Sequence, residues 1–252
     1  GHVDRCEVRY SLLNLLARAG GRSVSGTAIV VFSPGHLGDI LHAVPMLKAL
    51  RGGRPHAKMI WLVGPWSEGL ARRYQHHVDE ICVFGPNLPT YTRGRREWQQ
   101  SAWTQWWKAK ALRSEGVDVL IASPDGVGRF LAHALNPRLW IGIGDHWPRG
   151  IRREIRPQFD PYEKDRFEAD AWVALLQHLG ISASSDRLDY EITPEEANEA
   201  AAFCRDEGVV PSRPLALIAP GSGWSGKNWL PERFGEVADW LVRERGCQVA
   251  WI

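Results

Sequence analysis

No run of apolar residues in this sequence approaches the roughly 18–20 that a helix needs to span a bilayer, although 44% of its 252 residues are hydrophobic. Cysteine is scarce. Cys6, Cys82, Cys204 and Cys247 stand far apart, with no C-x-x-C pair. That spacing fits neither a disulfide framework nor a zinc site and suits a reducing compartment. Net charge is nearly absent, +2 from 31 basic and 29 acidic residues. A dedicated nucleic-acid binder carries a strong basic excess, so that class is disfavoured. The opening Gly1-His2-Val3-Asp4-Arg5 lacks the basic-then-apolar pattern of a secretory signal, and it lacks an initiator Met, as a trimmed start would. The expected location is the cytoplasm. What the chain has in unusual measure is tryptophan, with 13 residues.

Short apolar runs alternate with helical periodicity, the pattern of an α/β protein with a parallel sheet. Residues 27–32 (TAIVVF) are apolar and β-branched, as a strand buried on both faces requires. After the turn Ser33-Pro34-Gly35, the residues Leu37, Ile40, Leu41, Val44 and Leu47 fall at helical spacing. Pro45 lies within that helix and is expected to kink it, because it removes a backbone donor. Further strands are expected at 58–63, 80–84, 117–122 and 139–143, and helices at 66–75, 95–113, 126–135 and 162–179. These make one five-stranded domain over 26–180, preceded by a helical extension over 1–25 in which Val8, Leu12, Leu15, Leu16 and Ala19 share a face.

A Ser- and Asp-rich stretch after Gly180 reads as a linker with a helix, 181–212. In it Thr193-Pro194-Glu195-Glu196 marks a helix start, with Thr193 as cap and Glu196 completing a capping box. A second domain begins over 213–252: a strand at 214–219, a loop, a helix at 231–245 and a strand at 248–252. One crossover is little for a parallel sheet, so a continuation of this domain is expected.

The loop Gly221-Ser222-Gly223-Trp224-Ser225-Gly226-Lys227-Asn228 satisfies two known patterns literally. As G-x-x-x-x-G-K it resembles a nucleotide-triphosphate loop, and as G-x-G-x-x-G a dinucleotide fingerprint. The first needs Ser or Thr after the lysine and a helix starting there. Asn228 takes that place, and Pro231 puts the helix start later. The second needs its third glycine already in the helix and a close backbone approach that bulky Trp224 hinders. What remains is a glycine-rich turn with exposed amides, hydroxyls and one lysine, suited to a phosphate-bearing ligand. An ordinary turn with a solvated lysine is the plain alternative. In the first loop, Asp39 stands at a helix N-terminus beyond a strand end. There it serves equally as a helix cap or as a catalytic base.

The two loops together resemble the ADP-heptose:lipopolysaccharide heptosyltransferases, glycosyltransferase family 9. The resemblance rests on Ile29-Val30-Val31-Phe32, Gly38-Asp39-Ile40-Leu41-His42-Ala43-Val44-Pro45 and Leu47-Lys48-Ala49-Leu50, then on Gly64-Pro65-Trp66. It continues in Pro220-Gly221-Ser222-Gly223-Trp224, Lys227-Asn228-Trp229 and Pro231-Glu232-Arg233-Phe234, so that it covers residues 27–252. It implies a GT-B fold of two Rossmann-like domains, acceptor on the first and nucleotide-sugar on the second. It also implies an inverting, metal-independent transfer from an ADP-sugar donor, with no further cofactor, to an anionic glycolipid acceptor at the cytoplasmic face of the inner membrane. Asp39 aligns with the general base and Lys227 with the lysine on the donor phosphates, where Ser222, Ser225 and Gly223 are its neighbours. Gly38 and His36 stand beside the base on the acceptor side. The family's later acidic-Thr-Gly turn lies beyond the last residue, so a chain of this extent is expected to fold its first domain and show little activity.

Residues 92–113 are more basic and aromatic than the family pattern leads one to expect. Trp98, Ala102, Trp106, Ala109 and Leu112 form a helical stripe that reads as core. The mixture also suits a phosphorylated glycolipid at a membrane surface, with Arg93, Arg95 and Arg96 on its phosphates, or stacking on single-stranded nucleic acid. His76-His77 has no partner at metal-ligand spacing. His36 and His42 flank Asp39 and could tune it, though packing or solvation is the plainer reading, and Asp125 could line the cleft but reads more simply as a helix cap. Two other functions compete: a catalytically dead module binding nucleotide or glycolipid, and an oxidoreductase or NTPase using the 221–227 loop.

Overall fold

The first strand is apolar at almost every position because it lies in the middle of a sheet covered on both faces. β1 (Ala28–Ser33) is buried along its whole length. The computed structural model describes residues 27–85, 95–114, 116–124, 126–144, 151, 156–160, 167–184, 188, 190, 192–222 and 225–252. After β1 come α1 (Leu37–Gly53), β2 (Lys58–Val63), α2 (Glu68–Arg73), β3 (Glu80–Val83) and α3 (Arg95–Arg113). β4 (Val119–Ile121), α4 (Gly126–Leu135), β5 (Leu139–Ile143), β6 (Arg156–Asp160) and α5 (Glu168–Ala174) follow. The segment 1–25 lies outside the described residues.

Among the described residues of this unit six strands pair in parallel, in the order β3-β2-β1-β4-β5-β6. The expectation of five strands is corrected here. The sixth reads Arg-Pro-Gln-Phe-Asp, which has neither an apolar run nor a clean alternation. It lies at the sheet edge with Pro157 opposite Trp140, a position where a missing amide is tolerated. Two boundaries also shift. Trp66 lies in a turn before α2 rather than inside a helix, and α5 begins at Glu168 and tightens into a 3-10 turn over Leu175–Leu179. α1 runs through Pro45 as one helix.

The two-residue period of β1 divides its side chains between two cores. Ile29 and Val31 join Ile40, Val44, Leu47, Leu50, Trp61, Trp172 and Leu176 on one face. Val30 and Phe32 join Leu62, Phe84, Leu112, Leu120, Leu131 and Trp140 on the other. Each fully buried side chain of this size contributes about 1.5–3 kcal/mol, which is why the central strand holds no polar residue before Ser33. α1 and α5 lie side by side in the same direction. His42 near the start of α1 meets Glu168 at the start of α5, and Gly53 at the end of α1 packs on Ile181. Strand order reverses beside β1, whose neighbours are β2 and β4. The loop leaving β1 therefore stands at the switch point where open α/β sheets hold ligands.

A second unit spans Tyr190–Ile252. It contains α6 (Pro194–Asp206), β7 (Leu215–Ile218), α7 (Pro231–Arg245) and β8 (Gln248–Trp251). The capping box read from the sequence is present: Glu196 donates its amide to Thr193 Oγ1 at 3.2 Å, and Thr193 donates its amide to Glu196 Oε2 at 2.9 Å. β7 and β8 pair in parallel. Gln248 ties β8 to the preceding loop, accepting from the Val210 amide at 2.7 Å and donating to the Val210 carbonyl at 2.9 Å.

Candidate functional site

Three residues, Pro34-Gly35-His36, separate the end of β1 from α1. Asp39 is the third residue of that helix and is half-buried. Its Oδ2 accepts the His36 amide at 2.6 Å, satisfying one of the orphan donors at the helix start. The capping role is therefore present. It leaves acceptor capacity on the carboxylate, which has two oxygens and about four lone-pair directions, so a cap and a base are compatible in one residue.

The fit of this carboxyl explains one glycine. A Cβ at Gly35 would overlap Asp39 Oδ2, Cβ and Cγ. Gly38 is different: it is exposed, and a Cβ there would meet nothing within 4 Å. Packing gives Gly38 no reason to be glycine. Gly35 is held from the next loop, where Trp66 donates its indole N–H to the Gly35 carbonyl at 2.9 Å. The His36 ring lies 6.2 Å from the Trp66 ring at a 37° tilt.

One turn beyond Asp39, His42 Nδ1 lies 3.1 Å from Glu168 Oε2, and the imidazole meets the Phe167 ring edge-on at 5.5 Å. The sequence gives no local sign that His42 pairs with Glu168, because the two stand more than a hundred residues apart. Leu37 and Phe167 are exposed beside these groups, at 56% and 42%. The first unit thus collects a carboxylate, an imidazole–carboxylate pair and exposed apolar side chains near the N-termini of α1 and α5.

In the second unit, the glycine loop leaves β7 and passes through a 3-10 turn at Ser225–Lys227 before α7 begins at Pro231. The helix amides therefore start four residues beyond Lys227, unlike a triphosphate-binding loop, where they adjoin the lysine. Ser222 donates its hydroxyl to Asn228 Oδ1 at 2.8 Å, closing the loop on itself. Lys227 is exposed. A Cβ at Gly221 would meet nothing within 4 Å, so internal packing does not call for glycine there either. Trp229 packs edge-on against Phe234 at 5.3 Å, fixing the loop to the start of α7.

The structure thus groups His36, Gly38 and Asp39 at the junction of one loop with α1, and Ser222 and Lys227 on another loop. Gly223, Arg93 and Asp125 lie outside the described residues, as do the side chains of Ser225, Arg95 and Arg96. The backbone of Arg95 and Arg96 opens α3. Farther along α3, Ala109 and Leu112 are buried, and half-buried Trp106 stacks edge-on with Phe130 at 5.6 Å, under Lys110 at 5.0 Å. The described part of the tryptophan stripe is therefore core, while Trp107 is 49% exposed. Among the described residues no group of three or more His, Cys, Asp or Glu side chains could hold a metal ion. No described helix is long and apolar enough to cross a membrane.

No family model matches the chain. A curated relative, the lipopolysaccharide core heptosyltransferase OpsX of Haemophilus influenzae, is 23% identical over 209 residues, covering 81% of this chain and 53% of the relative. This chain thus spans about half the length of that protein. Among solved structures, a glycosyl transferase family 9 protein from Veillonella parvula superposes with a TM-score of 0.63 at 24% identity, over 89% of this chain and 62% of the other. The E. coli ADP-heptose lipopolysaccharide heptosyltransferase II gives 0.60 at 16% identity, over 89% and 64%. E. coli heptosyltransferase WaaC, solved with ADP, gives 0.55 at 18%, over 89% and 66%. The resemblance carried by the two loops is thus borne out: the chain is similar in sequence to a lipopolysaccharide core heptosyltransferase and shares the fold of solved family 9 glycosyltransferases.

Proposed function

We propose that this chain is the acceptor domain and the beginning of the donor domain of an inverting, metal-independent heptosyltransferase. It would move a heptose-like sugar from an ADP-sugar onto a lipopolysaccharide-core or related anionic glycolipid. The observation that carries the reading is Asp39, a half-buried carboxylate presented at the carboxyl end of the central strand in a chain similar to such an enzyme.

In the proposed reaction the acceptor hydroxyl oxygen attacks the anomeric carbon as the bond from that carbon to the diphosphate breaks. Asp39 takes the hydroxyl proton, which raises the nucleophilicity of the oxygen as the new bond forms. ADP departs with the bonding electron pair, and Lys227 offsets the growing charge on its phosphates, aided by donors from Ser225 and the Gly223 amide and by the Ser222 hydroxyl once it turns from Asn228. Gly221 and Gly38, which packing does not require, leave backbone open to close approach by donor and acceptor. His36 and Gly38 would line the acceptor side, with Arg93, Arg95 and Arg96 on acceptor phosphates. With such an acceptor the enzyme would work in the cytoplasm and touch the inner-membrane surface peripherally.

The test is transfer from ADP-heptose to a lipopolysaccharide-core acceptor by the protein as its gene encodes it, with and without Asp39→Ala. Loss of transfer by on the order of a thousandfold or more, with ADP-heptose binding kept, is the expected result. Normal turnover in the variant would remove Asp39 as the base. Donor binding with no transfer in the unaltered protein would make it a binding module instead.

A further inference from the structure

Trp66 belongs to neither apolar core, and it is half-buried rather than enclosed. Its polar atom makes the contact that matters. The indole N–H donates to the Gly35 carbonyl at 2.9 Å, across 31 positions of sequence. The ring itself is seated on Gly64, where a Cβ would come 2.7 Å from Cε2 and 3.0 Å from the Pro34 carbonyl oxygen. Gly64 is held in turn by Ser67, fully buried, whose amide and hydroxyl both donate to the Gly64 carbonyl, at 3.1 and 3.2 Å.

These contacts form an unbroken line from the end of β2 to the carboxyl of Asp39. Ser67 fixes Gly64, Gly64 seats Trp66, and Trp66 holds the Gly35 peptide. The α-carbon of Gly35 is the surface against which the Asp39 carboxyl rests. The next amide, His36, donates to Asp39 Oδ2 at 2.6 Å. Core tryptophans such as Trp140 also donate their indole N–H to a carbonyl, so what distinguishes Trp66 is which peptide it holds. Here the single donor of the indole is spent on the one peptide that borders the carboxylate.

We infer that Trp66 is a positioning residue for Asp39. Its indole N–H fixes the Gly35 peptide, and through it the His36 amide, so that the carboxylate is held in one orientation before an acceptor arrives. The consequence for transfer rests on the proposed role of Asp39 as base. A misplacement of about 1 Å at a reacting group can cost on the order of a hundredfold in rate, so a three-residue loop with no brace would be a poor mount for it.

The experiment compares Trp66→Phe with the unaltered protein. Phenylalanine keeps an aromatic ring over Gly64 and removes the donor. Hydrogen exchange of the His36 amide is expected to speed up by about fivefold or more, with the melting temperature nearly unchanged. In the transfer assay kcat is expected to fall about tenfold or more, with KM for ADP-heptose unchanged. Unchanged exchange at His36 in Trp66→Phe would overturn the inference. Should that variant fail to fold, Gly64→Ala probes the same line from its other end, because the added Cβ would come 2.7 Å from the Trp66 ring and push its indole N–H off Gly35. It is expected to give the same faster exchange at His36, and unchanged exchange there would likewise overturn the inference. If the unaltered protein transfers no heptose, the proposed function fails, while the exchange measurement still decides whether Trp66 holds the loop.

Discussion

Arg51 on α1 and Asp79 at the head of β3 meet with Nη2 2.7 Å from Oδ2, and the same carboxylate oxygen accepts the Met59 amide at 2.7 Å. Arg51 also donates to the carbonyls of His77, Pro55 and Ala57, at 3.1, 3.1 and 3.0 Å. One guanidinium thus ties the last turn of α1 to both connections flanking β2. This knot lies at the amino ends of the strands, away from the Asp39 loop, so it acts on stability rather than on chemistry.

Partial burial pushes the Asp79 carboxyl up, but the Met59 amide and the Arg51 guanidinium outweigh it and hold the group below the usual carboxylate range. A depressed folded pKa contributes stability above the unfolded value of about 3.9, and that contribution fades as pH falls through the folded value. The side chain is 49% exposed, so screening limits the effect to about 1 kcal/mol. Asp79→Asn is expected to lower the unfolding free energy at pH 7, read from urea denaturation, by that amount, with the gap closing as pH drops from about 4 towards 2. Equal unfolding free energies at pH 7 would show that the knot contributes nothing.

Cys82 is expected to be chemically silent in the folded protein. Its thiol donates to Glu80 Oε1 at 3.3 Å, and burial, reinforced by the Glu80 carboxylate, pushes it up to about 12. Nearby Lys108, pushed down by its own burial, donates to the Val83 carbonyl at 3.2 Å. Since the thiolate is the reactive form, iodoacetamide at pH 8 should leave Cys82 unmodified in the native state and modify it in urea, as read by peptide mass mapping. A raised thiol pKa adds stability below the unfolded value of about 8.5, and that stability declines as pH rises from there towards 12. Rapid native-state alkylation of Cys82 would contradict this.

Much of the architecture is legible in the sequence where one periodicity dominates. β2, β5, α3, α4 and α7 begin and end where apolar spacing and glycine or proline put them. β6 escapes because an edge strand with one proline needs no apolar pattern. The site divides along similar lines. Asp39 is readable from strand, turn and helix start, since those are local. Trp66 reads as the opening of a helix, and its grip on Gly35 is a tertiary contact that no local pattern encodes. The glycine loop shows the opposite failure. Two literal motif matches are set aside by Asn228, by Trp224 and by where the next helix begins, which Pro231 already signals in the sequence.

Gly128 and Gly52 both lie in helices of the first unit, yet alanine is expected to act oppositely at the two. Helix propensity alone favours alanine over glycine by about 1 kcal/mol. At Gly52, in the last turn of α1, an added Cβ would meet nothing within 4 Å, so Gly52→Ala should stabilise by about 0.4–1 kcal/mol. At Gly128 the new Cβ would overlap the Ser123 carbonyl oxygen and lie 3.3 Å from Trp140 Cζ2. Neither neighbour can yield easily. The first is backbone, and Trp140 is fully buried with its indole N–H donated to the Ala122 carbonyl at 2.9 Å. Overpacking a rigid site costs about 1–3 kcal/mol or more, which exceeds the propensity gain. Gly128→Ala should therefore lower the urea midpoint while Gly52→Ala raises it, and a rise for both would mean that α4 can shift away from β4 at little cost.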